Sequence, residues 1–358
     1  MSSQVSKGLP GMMLTAGLGT RLRPITTKWA KPAVPFLGIP LLKYPLHLMR
    51  AAGIQSLVLN SHYLPEQIVA LGASITTPDF PVHVSEEPGA PLGAGGGIWK
   101  ARKWLDTKSA TGTGDFLVCN GDEVILPHDP QVLSKFSSAH TSSDALGTIL
   151  VMKHPLVGTQ FGGVWCSPAG DVRGFGKDGS KFGADAIGYH YIGVLMLNSR
   201  IFKFLPEGES NILYDGLASA IADGEKVRVV VSEFTWFETG NPHDLLEATH
   251  EALKLLAVNR GFLTWSESGL TESAGLREAA VELDAVCTSN WEPGTILEKR
   301  GDALILRVAG AALASDISVR GFAVIEKGAH VLRGASLDSV IVMPDGTVST
   351  PLANQIVI

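Results

Sequence analysis

The chain contains few cysteines, and this scarcity excludes several classes of protein. Its 358 residues include three cysteines, Cys119, Cys166 and Cys287, which stand far apart and form no Cys-x-x-Cys pair. An odd and scattered set argues against a disulfide framework and against a cysteine zinc site. Cys119 lies in an apolar run, and we expect it to be a small residue of the core.

Charge and long apolar runs are also scarce. Charged residues make up 18% of the chain, and 29 Lys and Arg against 35 Asp and Glu give a formal net charge of −6. A nucleic-acid-binding surface needs a basic excess, so we expect no nucleic acid partner, and any bound nucleotide should be a small molecule. No stretch approaches the roughly 18 apolar residues of a membrane span, so we expect no membrane partner.

The chain does have apolar material and glycine. Hydrophobic residues make up 45% of it, and 40 residues are glycine. The start, MSSQVSKGLPGMML, lacks the apolar region followed by small residues that marks a secretory leader. We therefore expect the apolar residues to form the core of a cytoplasmic protein. At about 150 residues per domain, the length predicts two domains or one large domain with an appendage.

Short apolar runs alternate with amphipathic stretches up to residue 120. This alternation predicts an α/β fold with a doubly wound, mostly parallel, Rossmann-like sheet. Ligands of such sheets bind beyond the carboxyl ends of the strands, where residues 17–21 and 120–122 both fall. The predicted strands are 11–15, 56–60, 82–85 and 115–120, and the predicted helices are 41–52, 65–71 and 97–105.

The alternation loosens between residues 130 and 235. Apolar runs at 148–152, 163–166 and 189–197 predict strands there, with antiparallel pairing. A helix over 245–258 is expected to close the first domain, residues 1–258. Residues 259–316 show no clear pattern, and we expect them to form an unassigned linker.

The tail, residues 317–358, carries a six-residue repeat. Small or branched residues recur in one phase, and larger aliphatic residues recur two positions later. Such hexads predict a short left-handed parallel β-helix, with about 18 residues per coil; an ordinary β-meander is the alternative. We expect the tail to be a cap or a surface through which the chain forms a homo-oligomer. The first phase is Ile317, Ala323, Ala329, Ala335, Ile341, Thr347 and Ala353, and the second is Val319, Ile325, Val331, Leu337 and Met343.

A glycine-rich turn follows the first predicted strand and reads A-G-L-G-T-R-L-R-P over residues 16–24. It lacks the Gly-Lys-Ser/Thr ending of a P-loop, and Leu22 stands where the dinucleotide fingerprint has its third glycine. Backbone N–H groups in such a turn can cradle phosphates, and an arginine such as Arg21 can bind two phosphate oxygens. On these residues alone, a structural turn with solvated arginines is the alternative.

The loop and the segment after it resemble the sugar-1-phosphate nucleotidylyltransferases, also called NDP-sugar pyrophosphorylases. The signature of that family, GxGTRLxPxT, is followed by a Pro-Lys-Pro segment. Here GLGTRLRPIT is followed by Ala30-Lys31-Pro32, with alanine in place of the first proline. Many members of the family also carry a β-helix tail. Three further stretches resemble family motifs in the same order: E-E-P to G-A-G-G-G over 86–97, N-G-D over 120–122 and W-F-E-T-G-N-P over 236–242.

The resemblance implies that an oxygen of a sugar 1-phosphate attacks the α-phosphorus of an NTP and that pyrophosphate leaves. Arg21 would neutralise the departing phosphates, and Lys31 would hold a phosphate of the reacting pair. Asp122, also catalytic, would bind Mg²⁺ together with Glu238, since this ion prefers carboxylate and phosphate oxygens. The residues implied in nucleotide binding are Ala16, Gly17, Leu18, Gly19, Thr20, Glu87, Gly93 and Gly121, and those implied in substrate binding are Gly95, Gly96, Lys177 and Asn241.

Several positions that bear on the substrate are unusual. Glu238 stands where the second carboxylate of the family is usually Asp, and Ala94 stands where threonine is common. Gly176 replaces the glutamate of the F-x-E-K-P loop of the family. Residues 95–97 and 60–62 resemble bacterial enzymes for N-acetylmuramate or mannose 1-phosphates, and an open glycine loop leaves room for a bulky sugar.

The sequence leaves two alternatives for the nucleotide substrate, GTP and UTP. Thr15-Ala16-Gly17 resembles the start of uridylyl enzymes, whereas Glu86-Glu87-Pro88 resembles the guanylyl group, whose carboxylate can accept two hydrogen bonds from guanine. We expect a hexose 1-phosphate as the second substrate. The alternatives are a non-catalytic, nucleotide-sugar-binding regulatory subunit of the same fold and a cytidylyltransferase for a choline-like alcohol phosphate, which shares the loop.

Overall fold

The computed structural model describes residues 8–106 and 113–358. The first seven residues, which belong to the start in which we expect no leader, lie outside the described residues. None of the helices in the described part of the chain is long and apolar enough to cross a membrane.

The helices and strands predicted up to residue 120 are all present, with ends within four residues of those expected. The α-helices of the described ranges are α1 Lys43–Ala51, α2 Pro65–Ile75, α3 Gly93–Leu105, α4 Val132–Ser142, α5 Ala218–Ala222, α6 Pro242–Asn259, α7 Trp265–Ser268 and α8 Ala274–Asn290. The strands are β1 Pro10–Leu14, β2 Pro35–Phe36, β3 Ile39–Pro40, β4 Ser56–Ser61, β5 Val82–Glu86, β6 Asp115–Asn120, β7 Val124–Pro127, β8 Gly147–Met152, β9 Gly163–Cys166, β10 Val172–Gly176, β11 Ile187–Asn198, β12 Val227–Val231, β13 Phe234–Phe237, β14 Ile296–Arg300, β15 Ala303–Arg307, β16 Ala312–Leu313, β17 Ser318–Ile325, β18 His330–Val331, β19 Ser336–Val342, β20 Thr347–Val348 and β21 Leu352–Val357.

The backbone contacts divide the chain differently from the expected domains 1–258, 259–316 and 317–358. Unit 1 holds the described residues of 1–18, 45–122 and 129–234, and unit 2 holds residues 19–44, 123–128 and 235–358. The chain therefore passes from unit 1 to unit 2 within the signature loop, after Leu18, and again after Asp122. The predicted tail belongs to the same unit as residues 19–44.

Unit 1 is built on a nine-stranded sheet, whose main path runs β10-β9-β11-β6-β1-β4-β5. β1 pairs in parallel with β4 and β6, and β4 pairs in parallel with β5, as predicted. β11 runs antiparallel to β6, β8 and β9, as expected beyond residue 130. The sheet is therefore mixed, and the prediction of a mostly parallel sheet is wrong beyond β6 because β11 returns antiparallel beside it.

The central strands of this sheet are buried on both faces. All but the last residue of β1 and the first and last residues of β6 are buried. Near-continuous apolar strands of this kind are typical of a sheet covered on both sides. Cys119, on β6, is fully buried, which confirms its expected place in the core.

The C-terminal part of unit 2 contains two sheets with mostly parallel pairing, β14-β15-β17-β19-β21 and β16-β18-β20. The spacing of parallel partners is 18 residues between β15 and β17, as in Leu304 opposite Phe322, and at the start of β17, as in Ser318 opposite Ser336. This is the spacing expected of three hexads. The first of these sheets begins at Ile296, and α8 precedes it, so regular structure occupies much of the expected linker.

The hexad residues are core residues only as far as Met343. Ile325, Val331 and Leu337 are buried in one phase. Thr347 and Ala353, the last members of the other phase, are exposed. β19 pairs with β21 at a shorter spacing of 15 residues, from 337 to 352. The last repeats are therefore shifted relative to the six-residue pattern, and their residues no longer face the core.

Leu337 and Leu332 are a matched pair for testing this core, because their exposed fractions are 1% and 45%. We predict that Leu337→Ala lowers the free energy of unfolding by about 2–5 kcal/mol, since the truncated side chain leaves a cavity. Leu332→Ala should lower it by less than about 0.5 kcal/mol. Chemical denaturation of both variants measures the difference, and equal losses would contradict the buried position of Leu337.

Candidate active site

Buried polar side chains join the carboxyl ends of three strands in unit 1. Thr15, directly after β1, donates its backbone N–H to Asn60 Oδ1 at 2.7 Å and its hydroxyl to the Asn60 carbonyl. Asn60 Nδ2 donates to Glu87 Oε1 at 2.8 Å. All three residues are buried. Because bonded buried networks are rigid, the start of the signature loop is held in one position on the sheet.

Glu87 is held by hydrogen bonds within unit 1. Its side chain is 3% exposed, and Oε2 accepts the N–H of Leu92, just before α3, at 3.4 Å. Its carbonyl lies 2.9 Å from His62 Nδ1. A carboxylate at a helix N-terminus also stabilises the helix dipole. Both carboxylate oxygens accept hydrogen bonds within unit 1, so Glu87 positions the strand ends and α3, and the guanine-binding interpretation gains no support.

The glycines predicted to bind substrate lie in the first turn of α3 and not in an open loop. Gly95 donates its N–H to Ser210 O at 2.8 Å. A Cβ atom at Gly96 would clash with Gly208 O, and one at Gly93, which we expected at the nucleotide, would lie 2.6 Å from Ser210 O. These glycines therefore admit the backbone of residues 208–210, and protein fills the room that we expected for a bulky sugar.

The Asn-Gly-Asp motif follows β6. Gly121 donates its N–H to Leu14 O at 3.0 Å, and a Cβ atom there would lie only 2.9 Å from the same oxygen. Asn120 lies against Gly193 on β11, where a Cβ atom would come within 2.8 Å of Asn120 Nδ2. Asp122, half-buried, comes directly after this fixed turn. The motif is therefore held at the same edge of the sheet as the loop start.

His190, on β11, is neutral at physiological pH. Its ring centroid lies 5.5 Å from that of His154. Burial, reinforced by His154, lowers the pKa of His190 to about 4. This imidazole therefore adds no positive charge for a phosphate in unit 1.

Lys177 lies on an exposed loop and lines a surface depression of about 630 Å³ together with Trp165. The Trp165 indole donates to Gly176 O at 2.7 Å. Gly176 has a φ of +140°, a conformation that glycine adopts far more readily than other residues. The backbone thus explains why no glutamate stands at this position. A role for Lys177 in holding the sugar phosphate stays a prediction.

The signature loop leaves unit 1 with exposed residues. Gly17 and Leu18, which follow Ala16, are both exposed. A Cβ atom at Gly17 would meet no atom of the described residues within 4 Å, and its φ lies outside the left-handed region. Packing in the described chain therefore does not require glycine here, whereas the close approach of a ligand to the backbone would.

The loop continues in unit 2, where Gly19 is tightly constrained. Its φ is +59°, and a Cβ atom would lie 2.9 Å from Thr26 Cγ2 and 3.3 Å from Lys31 Cβ. The Thr26 hydroxyl donates to Gly19 O at 2.7 Å. Thr20 begins a short 3₁₀ turn that contains Arg21. The structure thus places the predicted catalytic lysine directly beside the glycine loop.

Arg21 and Glu238 meet at Gly240, also in unit 2. A Cβ atom at Gly240 would lie 2.3 Å from Glu238 Oε1 and 3.2 Å from Arg21 Nη2. Arg21 is exposed and Glu238 is half-buried. The N–H donors of an exposed guanidinium group suit phosphate oxygens. Two predicted site residues that are distant in the sequence are therefore adjacent.

The other residues of the W-F-E-T-G-N-P motif have structural partners. Trp236 Nε1 donates to Glu123 Oε2 at 3.0 Å. Asn241 is the N-cap of α6: its Oδ1 accepts the Asp244 N–H at 3.0 Å, and its amide donates to the Asp244 carboxylate. Such a cap stabilises a helix start. The Asn241 side chain therefore caps the helix, and its expected contact with the substrate stays a prediction.

Glu238 also lines a cavity of about 340 Å³ in unit 2. Trp236 contributes to its wall, as do three carboxylates of α6, those of Asp244, Glu247 and Glu251. Four carboxylates around one cavity repel an anion. Without a bound cation, the cavity is therefore unfavourable for a phosphate.

Two pairings escaped the sequence analysis, Thr15 with Asn60 and Glu123 with Trp236. Thr15 and Asn60 are polar residues at the ends of predicted apolar strands, a signal that could have identified them. The pairing of Glu123 with Trp236 joins residues 113 positions apart, and no local pattern reports such a contact.

Residues 10–254 match the nucleotidyl transferase family, and the chain belongs to it. It is 27% identical over 342 residues to the mannose-1-phosphate guanylyltransferase of Mycobacterium tuberculosis, a match that covers 92% of this chain and 79% of that protein. It is also 27% identical over 244 residues to the probable mannose-1-phosphate guanylyltransferase 2 of Arabidopsis thaliana. That match covers 66% of this chain and 63% of the plant protein, so the chain spans less than two thirds of that relative.

The fold resembles that of solved nucleotidyltransferase structures. The UTP-bound UGPase from Acinetobacter baumannii matches with a TM-score of 0.56 and 23% identity, covering 69% of this chain and 94% of that one. This likeness shows the shared fold.

Gly17 and Gly19 give a matched test of the loop. We predict that Gly19→Ala lowers the free energy of unfolding by about 1–2 kcal/mol, because an alanine in the left-handed region is strained. Gly17→Ala should lower it by less than about 0.5 kcal/mol, since the added methyl group meets nothing. Denaturant titrations of both variants check this, and an equal loss at Gly17 would show that packing constrains it too.

Proposed function

We propose that the chain transfers a nucleotidyl group from GTP to mannose 1-phosphate in a Mg²⁺-dependent reaction that yields GDP-mannose and pyrophosphate. The meeting of Arg21 and Glu238 at Gly240 carries the proposal, because it joins the signature loop to a second family motif. The choice of GTP and mannose follows the names of the relatives, both mannose-1-phosphate guanylyltransferases. It does not depend on Glu87, which is engaged within unit 1.

The reaction needs positioning and charge neutralisation more than covalent catalysis. An oxygen of the sugar phosphate bonds to the α-phosphorus while the bond to the bridging oxygen of the leaving pyrophosphate breaks, and pyrophosphate leaves with the electron pair. We assign Arg21 to neutralising the departing phosphates and Lys31 to holding a phosphate of the reacting pair. The N–H groups of residues 16–20 and Gly121 are assigned to the nucleotide.

Asp122 and Glu238 fit the ligand chemistry of Mg²⁺. Both are half-buried carboxylates, and this ion prefers oxygen ligands. A bound ion would neutralise phosphate charge. Glu238 is one methylene longer than the usual Asp, and we assign it to the ion either directly or through a water molecule.

We further propose that the C-terminal sheets form a left-handed parallel β-helix. The parallel pairing at 18-residue spacing supports a coil of three hexads. The handedness and the use of this surface in a homo-oligomer are parts of the proposal that solution scattering and an experimental structure would test.

Pyrophosphate release tests the activity directly. With Mg²⁺, we predict turnover of GTP only when mannose 1-phosphate is present, and slower turnover with UTP or with other hexose 1-phosphates. Preference for UTP would move the assignment to a uridylyltransferase. Binding of a nucleotide sugar without turnover of any pair would overturn the proposal in favour of a regulatory subunit.

Arg21 and Arg23 form a matched pair of exposed arginines in the same loop. We predict that Arg21→Ala lowers kcat by about 100-fold to 1,000-fold, the usual effect of removing a group that stabilises the transition state. Arg23→Ala should stay within about threefold of the wild type, because the proposed reaction assigns no phosphate to Arg23. Steady-state kinetics of both variants measure the two decreases in kcat, and similar decreases would refute the special role of Arg21.

A further inference from the structure

The hairpin of β2 and β3 is closed by a strained turn. Leu37 and Gly38 have φ values of +54° and +77°, the pattern of a type I′ turn. Glycine tolerates this conformation, but a leucine is disfavoured in it. A residue persists in such a conformation only where its surroundings fix it. The contacts around Leu37 must therefore hold the turn in this conformation.

Residues of the C-terminal region of unit 2 hold both sides of the turn. The Trp291 indole N–H donates to Leu37 O at 2.8 Å, and Glu326 Oε1 accepts the Gly38 N–H at 3.0 Å. A Cβ atom at Gly38 would lie 2.8 Å from Val308 Cγ2, so the contact is close. The two polar groups of the turn that face this region are thus both bonded to it.

The carboxyl group of Glu326 is costly to bury, which makes its position informative. The residue is 2% exposed, and desolvation by burial raises its pKa to about 8. Its carboxyl group acts electrostatically on Tyr44, on α1, and so does Cys287, on α8. A buried polar group without a partner would destabilise the fold, so its bond to Gly38 fixes the turn as well as satisfying the carboxyl group.

The hairpin is tied in turn to the Lys31 segment. Leu42 donates its N–H to Pro32 O at 3.0 Å, and Leu41 donates its N–H to Val34 O at 3.0 Å. These bonds connect the strand leaving the turn to the residues directly after Lys31. Lys31 Cβ in turn lies beside Gly19, as described above.

We propose that Glu326 and Trp291 are positioning residues. Through them the C-terminal region holds the hairpin of β2 and β3, and the hairpin in turn holds Lys31. The expected effect on kcat rests on the proposed function, whereas the connection of Glu326 and Trp291 to the hairpin and to Lys31 does not. On this account the C-terminal sheet is part of the support of the active site, and a loosened contact at Glu326 lowers kcat without altering any residue that touches substrate.

Hydrogen exchange tests the linkage without any turnover. We predict that Glu326→Ala raises the exchange rate of amides over residues 32–42 by about tenfold, because Gly38 loses its acceptor. Trp291→Phe keeps the ring, removes only the indole N–H and should give a smaller increase in the same amides. Glu292→Gln, an exposed glutamate that pairs with Lys327, is the matched control and should leave the rates unchanged. Unchanged rates in both Glu326→Ala and Trp291→Phe would overturn the proposal.

Kinetics then test the catalytic consequence. We predict that Glu326→Ala lowers kcat about tenfold and changes KM less, and that it has no further effect when combined with Lys31→Ala. Full additivity of the two substitutions would overturn a role exerted through Lys31. If the wild type shows no turnover, the proposed function fails, and the exchange rates alone decide the linkage.

The pH dependence separates positioning from simple packing. Glu326→Gln keeps an oxygen acceptor for Gly38 but cannot ionise. The wild-type carboxyl group loses its proton as the pH rises through the pKa of about 8, and the desolvation of the charge, which outweighs the Gly38 hydrogen bond, then favours local opening around Glu326. The ratio of kcat for Glu326→Gln to kcat for the wild type should therefore rise between pH 7 and pH 9. A constant or falling ratio would contradict the positioning role.

Discussion

The hydrogen bonds that join Thr15, Asn60 and Glu87 set the geometry of unit 1. They bind the ends of three parallel strands into one rigid edge, and Glu87 also fixes the start of α3. Each of these groups is buried and would destabilise the fold if left without a partner. The loop that carries Gly17 therefore begins from a fixed point, which a site that works by positioning requires.

In unit 2, the C-terminal sheets are continuous with the segment that carries the catalytic candidates. One hydrophobic core contains Leu22 and Val34 from the start of the unit, Leu256 from α6, and Phe322 and Met343 from the C-terminal sheet. Apolar side chains in so short a segment as 19–44 cannot bury themselves and need a neighbour. This shared core gives a physical reason for the C-terminal region to influence Lys31, beyond the two hydrogen bonds at the turn.

The sequence predicted features that repeat or act locally. Strand and helix alternation located β1, β4, β5 and β6 well, and hexad spacing identified Leu337 as a core residue. The position of Lys31 beside Gly19 also follows the expected order of motifs. The antiparallel direction of β11 agrees with the expectation beyond residue 130, but its pairing with β6, β8 and β9 could not be predicted, because the partner of a strand depends on distant residues. The same limit explains the buried, bonded state of Glu87, which a motif resemblance had placed on the nucleotide.

Helix capping and close packing account for the other differences. Asn241 is placed by resemblance at the substrate, yet its amide satisfies the start of α6. The absent side chains at Gly95 and Gly96, expected to leave room for the sugar, leave room for the backbone of residues 208–210. The same residue types bind ligands and stabilise folds, so the sequence alone does not distinguish the two roles. The distances between residues in the structure do.

The central claim is that a sugar phosphate oxygen attacks the α-phosphorus of the nucleotide. Mannose 1-phosphate carrying ¹⁸O in its three non-bridging oxygens, incubated with GTP, Mg²⁺ and the enzyme, tests it by mass spectrometry of the products. The account predicts GDP-mannose that retains all three labelled oxygens and pyrophosphate that carries none. Label in pyrophosphate, or formation of free phosphate without GDP-mannose, would contradict it.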